Sequence, residues 1–288
     1  MASMRDIKRR KGSIQSTQQI TKAMKLVSTV KLQKAKSHAE KSDPYFRFMH
    51  KTVTSMLEHS DNIIHPYLET GRSEKKAIIV ITSNRGLAGG YNSNITKLVT
   101  EGGFKKEDVL IYAIGHKGKD ALKRRDYTIA EEHTDLMDVP DYTEAAKISA
   151  RILKQYRDGE IGEILLAYTH FKNTVSHTPT LLQLLPVDIE ETEEEKAEKE
   201  TMDLIMNYEP TEEEALDLII PKYVSSLVYG ALVEALASEN AARMQAMDSA
   251  TSNADDMIGD LSLKYNRARQ GSITQELTEI IAGAQAIS

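Results

Sequence analysis

From Lys222 to about Ala286 the chain has no proline, a stretch of about 65 residues rich in alanine. As one helix it would be roughly 100 Å long at the ~1.5 Å rise per residue. Globular domains do not hold helices of that length, whereas coiled coils and shafts do. A heptad register fits, with Gly230/Val233, Ala237/Asn240, Met244/Met247, Thr251/Ala254, Ile258/Leu261 and Tyr265/Ala268 at the a and d positions. Many of these side chains are small or polar. The seam is therefore weaker than a leucine zipper, and alanine supplies much of the helicity by propensity. Such a helix needs a companion.

The other end of the chain offers one. From about Ser3 to His59 there is no glycine after Gly12 and a single proline, Pro44, which is expected to kink a long helix. Its apolar residues, Ile7, Ile14, Ile20, Met24, Val27 and Val30, follow a stripe only loosely. The remaining faces are basic: residues 1–41 carry eleven Lys and Arg against Asp6 and Glu40. Folding the two helices back as an antiparallel pair leaves the C-terminal one the longer. Its last ten or so residues should project and expose Ile273, Leu277, Ile280 and Ile281. A bare apolar tip is a solubility liability, so a partner should sheathe it.

Between the helices the texture changes. "AIIVIT", "DVLIYAIG", "EILLAYTHF" and "TLLQLLPVDI" read as short buried strands. Helical patterns fall between them at about 92–101, 117–125 and 143–157, so residues 75–190 predict a small, parallel-type α/β domain. The expected fold is thus α/β: a long antiparallel coiled coil of the terminal helices, 1–60 and 211–288, with an inserted Rossmann-like domain. Residues 188–217 hold fourteen acids against Lys196 and Lys199, and 191–210 reads as a solvated excursion. Thr211 and Glu214 form the pattern of a helix-capping box, and Pro221 is expected to interrupt the helix that follows.

Several functions fall away. "SNRGLAGGYN" places Gly86, Gly89 and Gly90 after a strand, but the spacing is neither G-x-x-x-x-G-K-[ST] nor G-x-G-x-x-G, and no lysine follows. "IGHKGKDAL" lacks the third glycine and the Ser or Thr after Lys119. Both read as tight strand-to-helix turns. The histidines form no H-x-x-x-H or H-E-x-x-H pair, cysteine is absent, and no metal site, cofactor site or catalytic constellation emerges. No run approaches the ~20 apolar residues needed to cross a bilayer. The basic helix could meet a nucleic acid, an acidic protein or only solvent. From Met1 to Asp43 it has no aromatic residue, which weighs against nucleic acid.

The termini carry a family resemblance. "MRDIKRRKGSIQSTQQITKAMKLVSTVKLQKAK" and "SENAARMQAMDSATSNADDMIGDLSLKYNRARQGSITQELTEIIAGAQA" resemble the ends of γ subunits of F-type ATP synthase. "ITQELTEIIAGAQA" is similar to the family signature through Ile273, Thr274, Glu276, Glu279, Gly283 and Ala284; "ITSNRGLAGGYN" and "YEPTEEEALDLIIPKY" resemble further hallmarks. The resemblance implies a non-catalytic rotor shaft. Its helices would turn inside a hexamer of α and β subunits, its globular part would join ε and the membrane c ring, and proton flow would be coupled to ATP chemistry on β. It implies that Arg269 and Gln270 catch a β loop, that Met24 and Lys25 pass the acidic tip of β, and that Tyr208 and Glu209 face ε and the c ring. Entry into the helix from Met1, and the lack of a cysteine-bearing insert, imply a bacterial member, peripheral on the cytoplasmic face of the membrane. The rival is a stand-alone coiled-coil adaptor or a nucleic-acid-binding protein.

Overall fold

The computed structural model describes residues 4–58, 65–187 and 211–287. Among the described residues, five α-helices and five strands follow one another: α1 (Met4–Glu58), β1 (Lys76–Ile81), α2 (Tyr91–Glu101), β2 (Val109–Ile114), α3 (His116–Lys123), β3 (Thr128–His133), α4 (Tyr142–Arg157), β4 (Glu163–Phe171), β5 (His177–Leu185) and α5 (Glu212–Ile287). The chain divides into two compact units, residues 1–29 with 243–288, and residues 30–242.

The larger unit is built on a five-stranded sheet in the order β3-β2-β1-β4-β5. The first four strands are parallel and β5 runs antiparallel to β4. Side chains alternate across a strand, so each apolar run feeds two cores. Ile78, Val80, Ile111, Ala113, Leu165 and Ala167 meet Ile95 and Val99 of α2 and Leu122 of α3. On the opposite face, Ala77, Ile79, Ile81, Ile114 and Leu166 pack with Ile148 and Ile152 of α4 and Leu216, Ile220, Val224, Val228 and Leu232 of α5. The α/β insert therefore stands as expected, with one strand more than the sequence suggested. The added strand is β3, an edge strand of alternating exposed and half-buried residues. Its "TIAEEH" lacks the apolar run that buried strands show, which is why periodicity missed it.

Pro221 corrects a second expectation. It lies inside α5 rather than interrupting it. Proline removes one backbone donor and crowds the preceding turn, but Leu216, Ile220, Val224 and Val228 lie fully buried on both sides of it and hold the helix against the sheet. Ser225 donates to the Pro221 carbonyl at 2.7 Å, and Ser226 to that of Lys222 at 2.7 Å. Tertiary burial overrides the local penalty. The helix begins where the cap predicts: the Glu214 amide donates to Thr211 Oγ1 at 3.2 Å. α1 likewise runs through Pro44 as one element.

More than half of the most apolar window of α5 is buried inside the protein. Packing on the sheet accounts for its composition, although length and hydropathy alone would pass for a membrane span.

Candidate functional site

The smaller unit pairs the first part of α1 with the last part of α5. Along α1, Met4, Ile7, Lys11, Ile14, Gln18, Thr21, Lys25 and Ser28 recur at alternating spacings of three and four, and all are buried or half-buried. Along α5, Met244, Met247, Thr251, Ala254, Ile258, Leu261, Tyr265 and Ala268 do the same, as the heptad register requires. Polar bridges join the helices. Gln18 Nε2 donates to Asp255 Oδ1, Thr21 and Thr251 share a hydroxyl hydrogen bond at 2.8 Å, and Lys25 Nζ donates to Asp248 Oδ1 at 2.5 Å. α1 numbers rise as α5 numbers fall, so the pair is antiparallel.

Only part of the apolar stripe expected on α1 enters this seam. Ile7, Ile14 and Met24 are half-buried, whereas Ile20, Val27 and Val30 stand more than half exposed on the outward face, together with Leu26. The seam instead takes up polar residues that an apolar search passes over. Extending the heptad register of α5 onto α1 would have found Gln18, Thr21 and Lys25.

Counting from Thr21 opposite Thr251 brings Met4, the first described residue of α1, opposite Ala268. Residues 269–287 of α5 lie past the described part of α1, a span of about 27 Å at ~1.5 Å per residue, longer than the ten or so residues anticipated. Ile273 (45% exposed), Leu277, Ile280 and Ile281 (58%) are open to solvent, as expected. Thr274, Glu276, Glu279, Gly283 and Ala284 are exposed on the same stretch, and Gln275 Nε2 donates to Glu279 Oε1 at 2.9 Å across one turn. A Cβ added at Gly271 or Gly283 would have no neighbour within 4 Å, so nothing in this chain requires glycine there.

Arg269 and Gln270 are exposed at the root of this projection. Met24 and Lys25 lie far down the pair, with Lys25 already held by Asp248. Tyr208 and Glu209 lie outside the described residues.

The glycine loop belongs to the larger unit, at the C-terminal end of β1. The strand order turns outward in opposite directions from β1 and β4, and in such sheets the crevice at those strand ends is where nucleotides bind. Here the crevice is filled by the protein itself. Tyr91 OH donates to the Ala235 carbonyl of α5 at 3.2 Å, and Ser238 Oγ donates to the Thr169 carbonyl of β4 at 3.2 Å. Ala88, Tyr91 and Ala242 close into a small apolar cluster. The first amides of α3, which could grip a phosphate, are also taken: His116 N donates to Asn84 Oδ1, Lys117 N to the Ser83 carbonyl, and Gly118 N to Thr82 Oγ1 at 2.8 Å. Gly115 has φ of 93°, and a Cβ there would lie 2.0 Å from the Thr82 carbonyl oxygen. Glycine serves the turn, not a ligand.

Other polar clusters in this unit are structural. Arg151 donates to the Glu131 carboxylate from both Nε and Nη2, and His133 Nε2 lies 2.9 Å from it. Burial works against its charge, but those hydrogen bonds outweigh it and hold the carboxyl below its usual range. Glu234 of α5 reaches His170 Nδ1 at 2.7 Å and accepts from the Phe171 amide at 3.2 Å. No group of three or more His, Asp or Glu suited to a metal occurs among the described residues.

Comparison with known proteins points one way. A family model described as ATP synthase matches residues 3–287. The ATP synthase gamma chain of Lachnoclostridium phytofermentans is 67% identical, with all of both chains covered. The sodium-ion-specific ATP synthase gamma chain of Acetobacterium woodii is 41% identical over 99% of each. Among solved structures, the rotor of the Euglena gracilis mitochondrial ATP synthase superposes with a TM-score of 0.67 at 19% identity, covering 94% of this chain and 98% of that one.

Proposed function

This chain belongs to the ATP synthase family as a gamma chain, and from that premise we propose that it works as the central shaft of a rotary motor. It is a non-catalytic subunit of a membrane-bound enzyme complex. In this reading residues 1–60 and 211–288 form the shaft and residues 75–190 its base. Proton flow through a ring of c subunits turns the base, and the shaft turns within a hexamer of α and β subunits whose β members carry the catalytic sites. The assembly stands on the cytoplasmic face of the membrane.

The observation that carries the proposal is the projecting end of α5. There Ile273, Leu277, Ile280 and Ile281 stand open to solvent along the last turns of the helix. Burying such side chains is worth roughly 1.5–3 kcal/mol each, so an apolar sleeve would hold the tip firmly. Apolar contact is also non-directional, so the helix could turn in that sleeve without trading one specific bond for another. Arg269 and Gln270, at the root of the tip, are placed to engage a loop at the sleeve's mouth as the shaft rotates. Met24 and Lys25 serve lower down, where β carries acidic side chains, and Tyr208 and Glu209 serve toward ε and the c ring. The covered crevice beside β1 agrees with a subunit that holds no nucleotide.

The test is rotation. With α and β immobilised and a bead on the base of this chain, ATP hydrolysis should turn the bead in steps. Arg269→Ala with Gln270→Ala should lower the torque while leaving the complex assembled. Rapid hydrolysis under a firmly attached, stationary bead would overturn the shaft reading.

A further inference from the structure

Leu87 stands at a strained place in the glycine loop. Its φ is 63°, in the left-handed region that crowds the Cβ of an L residue and that glycine or asparagine occupies at least cost. Glycine takes that region two residues later, at Gly89 with φ of 56°, and Gly86 and Gly90 complete the loop. The Leu87 side chain is 63% exposed. A leucine exposed on its own is ordinary; one held in a backbone conformation that glycine would adopt freely is not. The loop holds it there from both sides. Ser83 Oγ donates to the Arg85 carbonyl at 2.6 Å, and the Ser83 amide donates to Asn92 Oδ1 at 2.9 Å. On the other side Ala88 is buried with Tyr91 and Ala242, and its carbonyl accepts from the Tyr91 amide at 3.2 Å.

We propose that Leu87 is a preset finger, held outward to seat in an apolar socket bordered by carboxylates on the hexamer of α and β subunits. The finger's own chemistry and place select that partner. Its tip is aliphatic, so the socket is apolar. Arg85 and Lys117 are exposed beside it, with Lys117 Cε 3.9 Å from where a Cβ on Gly86 would lie, so carboxylates suit the socket's rim. Ala242, which shares a cluster with Ala88, is the last residue of the larger unit. In the shaft reading α5 continues from there as the shaft, so the finger stands where a body enclosing the shaft begins. Setting the loop in its bound shape beforehand removes the ordering that a free loop would undergo on docking. Placing the socket on the hexamer rests on the shaft reading; the outward, strained leucine does not.

Leu87→Asn removes the apolar tip and relieves the backbone, whereas Leu87→Met keeps a tip of similar volume. Each full-length variant is compared with the unaltered chain in two measurements: the urea midpoint of the free protein, and the rate at which the fluorescently labelled chain leaves the purified hexamer of α and β. With Leu87→Asn the midpoint should hold or rise, and dissociation should quicken by about tenfold or more, the loss expected when the burial of one leucine is forfeited. Leu87→Met should recover most of the residence time. A lower midpoint for Leu87→Asn would show that the leucine serves its own fold, and unchanged dissociation would show that nothing reads it; either overturns the finger. So does a Leu87→Met chain that leaves as fast as Leu87→Asn. Failure of the unaltered chain to bind the hexamer would instead overturn the shaft reading, and the placing of the socket with it.

Discussion

Tyr91 opens α2 with its ring buried and its hydroxyl on the Ala235 carbonyl, and that placement turns a would-be ligand crevice into a joint between sheet and helix. Its consequence could not be read from "GGYN", because the partner lies 144 positions away. His177 shows a titration of the same kind. It starts β5 with Nδ1 buried and unpartnered, and burial lowers its pKa below the ordinary 6.5. Between the lowered value and 6.5 the unfolded chain binds more protons than the folded one. Stability in that interval therefore rises with pH and is lost as pH falls. His177→Gln should flatten the acid side of the stability profile below about pH 6.5. Chemical unfolding at several pH values checks this, and an unchanged slope would show that other groups set it.

At the scale of elements, the long helices were legible because their lengths leave few alternatives, and the buried strands because four apolar runs sit between turn signals. β3 was not legible, since an edge strand facing solvent has no apolar period to display. Nor was the continuity of α5, since Pro221 carries a strong local signal that only long-range burial of Ile220 and Val224 overrules. The candidate site divides along the same line. The bare tip follows from the mismatch in helix lengths, whereas the polar bridges depend on a register that only the paired helices define. Pro221 also gives a test at this scale. Pro221→Ala restores the missing amide to the preceding turn, and should stabilise the full chain by about 1 kcal/mol or more in urea unfolding. A loss of stability would mean that the proline ring fills space at the sheet that alanine cannot.

For the whole molecule, the two units differ in what protects them. Residues of β1, β2 and β4 lie under helices on both faces, whereas residues 273–285 are exposed along the last turns of α5. Isolated helical turns open readily. Hydrogen exchange of the free full chain should therefore find the amides of 270–287 exchanging fastest in α5 and those of the central strands slowest. Assembly with α and β should slow the tip by orders of magnitude and leave the strands nearly unchanged. Equal exchange at the tip before and after assembly would mean that nothing encloses it.

The unaccompanied stretch of α5 has one more implication, for how substitutions there are judged. Since Ile273, Leu277 and Ile280 stand largely open to solvent and a Cβ at Gly283 would meet no neighbour within 4 Å, exchanging them should be nearly silent in the folding of this polypeptide. The grammar of those positions is written by a neighbour. The sequence there describes the inside of another molecule, as a key's teeth describe a lock.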